Sequence, residues 1–440
     1  MNPGLHPRYL EVHLYDDLCG YLCELGGSCR FVPTDKFKAA DGQPTLSLSM
    51  AIPGVPAIAA EIFANAFHPA VYNTEGRLPS FFAGLLPESE LRKRLEATRH
   101  NPEDRDDFGI LAAAGEDLPG AVIVVPTADP HAIPEYARTF GATGGADNLE
   151  VAVIEGATEG AASVSGVQNK LALSTIQKGK RYTLPGHGKL SDIIAKLPAR
   201  NDDSQIFNEF VAMELAKSAG VDVAECEPLP IDTIEIPGIA EIAGSAKYFL
   251  AVQRYDRKGN QRIHVEDACQ ALGRMPNAKY ANVDQFQILV RLLNELSPKG
   301  VNDVRQFFIR QTVNTLLANS DAHLKNFSLL YEDQKHPQLT PAYDIVCVAA
   351  LPGFSSYGAN LAIDKLQRAQ TLDDYRNMAR AAGVAERIAI AAVKATVKTA
   401  HDTWPCLLDQ LPTPDRMKAI VLERLSTLPL AKRPPSNRTP

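Results

Sequence analysis

Asp321 and Asn326 stand five residues apart in Asn319-Ser320-Asp321-Ala322-His323-Leu324-Lys325-Asn326-Phe327-Ser328, and Asp344 follows in Thr340-Pro341-Ala342-Tyr343-Asp344. Such residues meet the needs of phosphoryl transfer. One carboxylate accepts the proton of an attacking hydroxyl; an amide oxygen and a second carboxylate hold Mg²⁺. Mg²⁺ is a hard cation that keeps water and phosphate oxygens beside one or two carboxylates. Asp321 therefore reads as the base, with Asn326 and Asp344 as metal ligands. An Asp-rich turn after an amphipathic helix looks the same locally, so the reading depends on the elements that would position these groups.

Ahead of them lies Ser163-Val164-Ser165-Gly166-Val167-Gln168-Asn169-Lys170, a small turn entering an alternating strand. Such a turn brings backbone N–H groups close to phosphates. It is neither of the common glycine-rich phosphate motifs, and by itself fits a hairpin with Lys170 at the surface. Ser191–Pro198 reads as a strand bearing Lys196. The next helix has Ile206, Phe210, Met213 and Lys217 on one stripe, with Asn208, Glu209 and Glu214 off it, and Glu209 is the expected partner of Lys196. Strands over Leu229–Ile236 and Lys247–Val252 lead to Gln253-Arg254-Tyr255-Asp256-Arg257, where backbone groups of a hinge could read an adenine edge. Ile263–Gly273 reads as a short helix. Longer helices are expected over 284–296, 304–317, 372–382, 385–404 and 414–426 from apolar residues at helical spacing.

The chain before this reads as a β-rich scaffold. Tyr9–Leu14 and Thr45–Met50 alternate, Ser89–Thr98 is a charged helix, a second helix starts near Pro102, and Ala121–Val125 is a short strand. Residues 127–160 are rich in Gly, Ala and Thr and read as a linker; 431–440 read as a disordered tail.

With 440 residues and 45% hydrophobic content, the chain has enough material for two or three packed units. Its net charge of −7 argues against a dedicated nucleic-acid binder, which needs a basic face. Seven scattered cysteines fit reduced thiols, and Cys19, Cys23 and Cys29 lack the second pair that a zinc site needs. No apolar run reaches about 18 residues, so a cytoplasmic location is expected.

Together these segments resemble the HipA family of bacterial serine/threonine kinase toxins. The resemblance runs from about Arg77 to about Ala382. It is carried by Leu85-Leu86-Pro87-Glu88, Asp117-Leu118-Pro119-Gly120-Ala121, the turn at 163–170, Arg254-Tyr255-Asp256-Arg257, His264-Val265-Glu266-Asp267 and the 319–328 stretch. It implies an α+β, two-lobed protein-kinase-like fold, with a β-rich N-lobe (161–255), an all-helical C-lobe (256–430) and an added N-terminal subdomain (1–126). It implies ATP and Mg²⁺ as cofactors. Asp321 would be catalytic, and Asn326 and Asp344 would bind metal. Ser165, Gly166, Val167, Gln168, Asn169 and Lys170 would wrap the phosphates that Lys196 contacts. Gln253, Arg254 and Tyr255 would line the adenine, and His323, Leu324, Lys325, Asn326, Tyr343, Asp344, Ile345 and Val346 would complete the pocket.

The resemblance also implies self-phosphorylation at Ser163 or Ser165, silencing the kinase. It implies a HipB-like helix-turn-helix antitoxin, operator DNA reached through that partner, and an aminoacyl-tRNA synthetase substrate such as the glutamyl enzyme, whose modification promotes growth arrest or persistence. The sequence departs from the family at Lys196, which lies in Ala-Lys-Leu-Pro where many members carry Lys-Pro-Pro. Three other readings remain open at this level: a small-molecule phosphotransferase, a non-catalytic co-repressor, and a metal hydrolase drawing on His264, Asp267, Asp321 and His323.

Overall fold

The computed structural model describes residues 6–39, 43–129, 133–138, 154–158, 161, 170–177, 180–186, 189–280, 283–354 and 358–432. The turn carrying Ser163 and Ser165–Asn169, most of the 127–160 linker and the tail from 433 lie outside the described residues.

Alternating apolar residues build the first sheet. β1 (Arg8–Leu14), β2 (Asp17–Leu25), β3 (Ser28–Pro33), β4 (Tyr72–Asn73) and β5 (Val122–Pro126) pair antiparallel in the order β4-β3-β2-β1-β5. Leu10, Val12 and Leu14 of β1 point into a core shared with Phe31, Phe81, Phe82 and the buried helix Asp107–Ala114. The described part of the linker folds back on this unit: Arg99 donates to the carbonyl of Gly156 at 2.6 Å, and Glu155 N donates to Asp104 Oδ2 at 3.0 Å.

A second antiparallel sheet follows, ordered β7-β6-β8-β10-β9. It comprises β6 (Lys170–Ile176), β7 (Arg181–Thr183), β8 (Ile193–Lys196), β9 (Cys226–Pro230) and β10 (Tyr248–Gln253). The apolar run Phe249–Val252 is buried because β10 lies between β8 and β9. Lys170 and Lys196 are directly opposed in the β6–β8 register. Helix Ser204–Ser218 packs on this sheet and joins the core of the helical part. Asn208 and Glu209, expected off its buried stripe, are both buried; Asn208 exchanges hydrogen bonds with the backbone of Cys347 at 2.8 and 3.1 Å.

The C-terminal part is built on helix Val301–Leu316, buried almost all round, against Val283–Leu296, Leu372–Ala381, Glu386–Gln410 and Asp415–Thr427. Trp404 is fully buried and donates to the carbonyl of Leu215 at 3.0 Å, joining the long helix to the smaller lobe. Helix Gly358–Ala369 has no counterpart in the sequence reading.

Three expectations fail here. The C-terminal part is not all-helical: besides the hairpin β11 (Arg257–Lys258) and β12 (Gln261–Arg262), it holds a three-stranded sheet of β13 (His264–Asp267), β14 (Ser328–Tyr331) and β15 (Gln338–Leu339). The expected helix at 263–273 is therefore a strand followed by one turn, Ala268–Ala271, started by a capping box between Asp267 and Gln270. Thr45–Met50 is not a strand. Its alternation serves a seam: Ser47 Oγ and Leu48 N donate to the Glu266 carboxylate at 2.7 and 2.9 Å, and Leu46 O accepts from His264 Nε2 at 2.8 Å.

Burial raises the Glu266 carboxyl to about 7, although Tyr331, Ser47 and Leu48 donate to it. Between the ordinary value of 4.5 and about 7, the folded protein keeps a proton that the unfolded chain has released. This group's contribution therefore falls as pH rises through that window. Glu266→Gln should gain about 3 kcal/mol on the wild type between pH 4.5 and pH 7. Denaturant midpoints of the pair across pH check this; a constant difference would sink it.

All seven cysteines are free, and burial pushes the thiols of Cys19 and Cys23 up to about 12. No helix among the described residues is long and apolar enough to cross a membrane.

Candidate active site

Helix Val301–Leu316 delivers the chain into the Asp321 segment through a tight stop. Ala318 takes a left-handed conformation (φ 56°), and Asn319 N donates to the carbonyl of Asn314 at 2.8 Å. This is the six-to-one closure that usually employs glycine. An alanine there costs about 1 kcal/mol and turns the chain sharply toward the cleft. β14 then carries it away, held by β13.

The cleft lies between the two lobes and has a volume of about 640 Å³, within the range of small-molecule sites. Lys196 on β8 reaches both Glu209 of helix Ser204–Ser218 and Asp344. Lys170 at the start of β6 approaches the other Asp344 oxygen at 3.4 Å. Burial works against charge on Lys196, but Asp344 and Glu209 outweigh it and hold its pKa above the ordinary value. Asp344 is held well below the ordinary carboxylate range: burial opposes this, and the two ammonium groups prevail. Burial lifts Glu209, with Lys196 opposing. Asp344 sits at φ 58°, the left-handed region that aspartate tolerates better than most residues.

Asp321, His323, Lys325, Asn326, Tyr343 and Val346 line the same cleft, as do Gln253, Arg254 and Tyr255. Leu324 and Ile345, expected in the pocket, turn into the core because their apolar side chains alternate with cleft-facing neighbours. Tyr343 donates to the carbonyl of Lys325 at 2.7 Å and stacks on Tyr255 with centroids 5.9 Å apart. His323 is kept neutral: burial, then Lys279, lowers its pKa to about 4.

The Arg254 side chain is committed elsewhere. It forks onto Asp256 at 2.9 and 2.7 Å and donates to Ser191 at 2.7 Å, while Arg257 donates to Asp117 at 2.8 Å. Gly120 closes this clamp: its N–H donates to Asp256 at 2.8 Å, its φ is +76°, and a Cβ would lie 2.6 Å from Val265 N. The N-terminal part thus joins the hinge directly.

It also reaches the cleft, through Gly84, Glu88 and Pro119, and Glu88 pairs with Lys325. Tyr280 and Asn360 flank Asp321. Sequence reasoning named none of the five as site residues: the stretches holding Glu88 and Pro119 served only to carry the resemblance, and Gly84, Tyr280 and Asn360 have nothing in their local pattern that distinguishes them from scaffold. His264 is fully buried and bonded to Leu46, away from Asp321, which removes the hydrolase constellation. Among the described residues, no group of three or more His, Cys, Asp or Glu could hold a metal ion.

Comparison with known proteins places this architecture. The HipA-like C-terminal domain family matches residues 162–404, and the HipA N-terminal domain family matches residues 10–125. The chain belongs to the HipA-like family. This HipA-like chain is 32% identical over 424 residues to Y4dM of Sinorhizobium fredii, provisionally named a kinase, covering 95% of each protein. It is 29% identical over 321 residues to the serine/threonine-protein kinase toxin HipA of Shewanella oneidensis, covering 66% of this chain and 67% of that one. The structure of the Shewanella oneidensis HipA, HipB and operator DNA complex contains a chain that matches with a TM-score of 0.63 at 22% identity over 96% of both chains. The HipA-like chain therefore has the two-lobed fold of HipA, with its added N-terminal part.

Proposed function

We propose that the chain is an ATP- and Mg²⁺-dependent serine/threonine protein kinase, the toxin of a toxin–antitoxin pair. One observation carries the reading: Lys196, Glu209 and Asp344, from a strand, a helix and a loop, meet in the cleft that Asp321 and Asn326 also line. A cleft of this kind presents a cation for phosphate, a carboxylate to orient it, and oxygen ligands on the far side.

The donors fit Mg²⁺. Asp344 and Asn326 are hard oxygen ligands, and two ammonium groups already gather at the Asp344 oxygens where positive charge is wanted. Bound Mg²⁺ would offset the charge on the phosphate oxygens. Lys196, steered by Glu209, would hold the nucleotide phosphates. Tyr255, Gln253 and the backbone at Arg254 would receive the base. Asp321 would orient the acceptor hydroxyl and take its proton.

Family membership supports regulation of the same site by Ser163 or Ser165 in the turn leading into Lys170, a HipB-like antitoxin, and operator DNA reached through it. The net charge of −7 favours DNA contact through a partner. An aminoacyl-tRNA synthetase is the proposed substrate class.

The test is intact and peptide mass spectrometry after incubation with ATP and Mg²⁺. A phosphate on Ser163 or Ser165 that EDTA prevents and added Mg²⁺ restores is expected. No phosphate on the chain or on any protein of a bacterial lysate would overturn the reading.

A further inference from the structure

Asp321 is gripped from the side. Tyr280 Oη donates to Asp321 Oδ1 at 2.6 Å, and Asn360 Nδ2 reaches the same oxygen at 3.4 Å. Among the described residues, the side-chain hydrogen bonds of Asp321 converge on Oδ1. We propose that Tyr280 and Asn360 are positioning residues that pin the Asp321 carboxylate by Oδ1 and leave Oδ2 for the acceptor hydroxyl. The proposal rests on the kinase reading above.

Both residues come from elements that are themselves tied to the Asp321 segment. Tyr280 follows Lys279, whose carbonyl accepts from Leu324 N at 3.0 Å, and its ring meets His323 edge-on with centroids 5.4 Å apart. Asn360 lies in the first turn of helix Gly358–Ala369. That helix also holds the segment from behind, where Gln367 Nε2 donates to the carbonyl of Asn319 at 2.9 Å. Its Asp364 is anchored on the buried Arg424 at 2.5 Å. Two supports at different heights thus fix the backbone and the carboxylate together.

The phenol suits the task. Burial and the hydrogen bond to Asp321 raise its pKa, so it remains a donor at any working pH. Tyr280 is 40% exposed at the cleft mouth, so its ring leaves room beside the carboxylate rather than sealing it. The acceptor oxygen would bond to the γ-phosphorus as the bond to ADP breaks, and its proton would pass to Oδ2. A carboxylate free to rotate would spend part of its time with neither oxygen aligned, and small misplacements of a reacting group cost up to about a hundredfold.

Tyr280→Phe keeps the ring on His323 and removes only the donor; Asn360→Ala removes the second. Phosphate transfer from labelled ATP to the chain itself is followed at saturating ATP, beside the ATP concentration for half-maximal rate, the affinity for a non-hydrolysable ATP analogue with Mg²⁺, and the melting temperature. The expected result for Tyr280→Phe is a maximal rate roughly 10- to 100-fold lower, with half-saturation and analogue affinity within about twofold and melting unchanged. Asn360→Ala should show the same split with a smaller loss. A Tyr280→Phe rate within about twofold of wild type overturns the proposal and leaves the kinase reading standing. A faster variant also overturns it, since Tyr280 would then be occupying the acceptor's place. Absence of transfer by the wild type, to itself and to lysate proteins, overturns the kinase reading and this inference with it.

Discussion

Asp321→Asn should lower the proposed phosphate transfer by roughly 10²- to 10⁴-fold, the span usual for loss of a positioned general base, while leaving affinity for ATP and Mg²⁺ unchanged. The amide can accept the Tyr280 hydrogen bond at 2.6 Å in place of Oδ1, so the local geometry survives. It cannot take the proton of the attacking hydroxyl. On the proposed reading the nucleotide would be held by other elements, Lys196 on β8 and Asp344 beyond β15, so affinity has no reason to follow the rate. Single-turnover transfer from labelled ATP, paired with calorimetric titration of a non-hydrolysable analogue, separates the two. Full transfer by the variant would remove Asp321 from the mechanism.

Lys196→Met strikes stability and activity together. Lys196 is buried between Glu209, itself buried, and Asp344. Removing the ammonium leaves one carboxylate without its cation and the other with only the Lys170 contact at 3.4 Å. Breaking a buried pair from one side costs about 3–5 kcal/mol, because the remaining charge is stranded. The double variant Lys196→Met/Glu209→Gln should recover a large part of that loss, since a neutral amide is cheaper to bury than an unpaired carboxylate. Transfer should stay depressed by roughly a hundredfold or more in both, because the cation proposed to hold the phosphates is gone. Urea midpoints of the wild type, single and double variants test the first half. If the double variant were no more stable than the single one, Glu209 would not be the stranded charge.

Legibility in the sequence followed the range of the interactions involved. Helices with apolar residues at helical spacing were readable: the expected 284–296 helix occupies Val283–Leu296, and the 385–404 helix extends to Gln410, because Pro405 lies inside it without ending it. Thr45–Met50 misled because Ser47 is buried against Glu266, more than two hundred residues away. Ile263–Gly273 misled because pairing with β14 outweighed local helix preference over His264–Asp267. In both cases tertiary hydrogen bonds decided what local pattern could not.

The pairing of Lys196 with Glu209 was legible, since a strand lysine and an acid on the next helix are neighbours in sequence and in space. The local pattern of Lys170 fits a surface lysine, and only the family resemblance put it among the phosphate-wrapping residues; register places it opposite Lys196 and facing Asp344. The sequence by itself determined the chemistry available: Asp321, Asn326 and Asp344 at their spacing, and a lysine and a glutamate on consecutive elements. Only the tertiary structure decided which groups meet. It brought Glu88 to Lys325, Asp117 to Arg257, and Tyr280 with Asn360 to Asp321. The physical reason is that periodicity reports which face of an element avoids water, whereas a site is made where separate faces converge, and the convergence is set by packing between elements that carry no mark of it in their own residues.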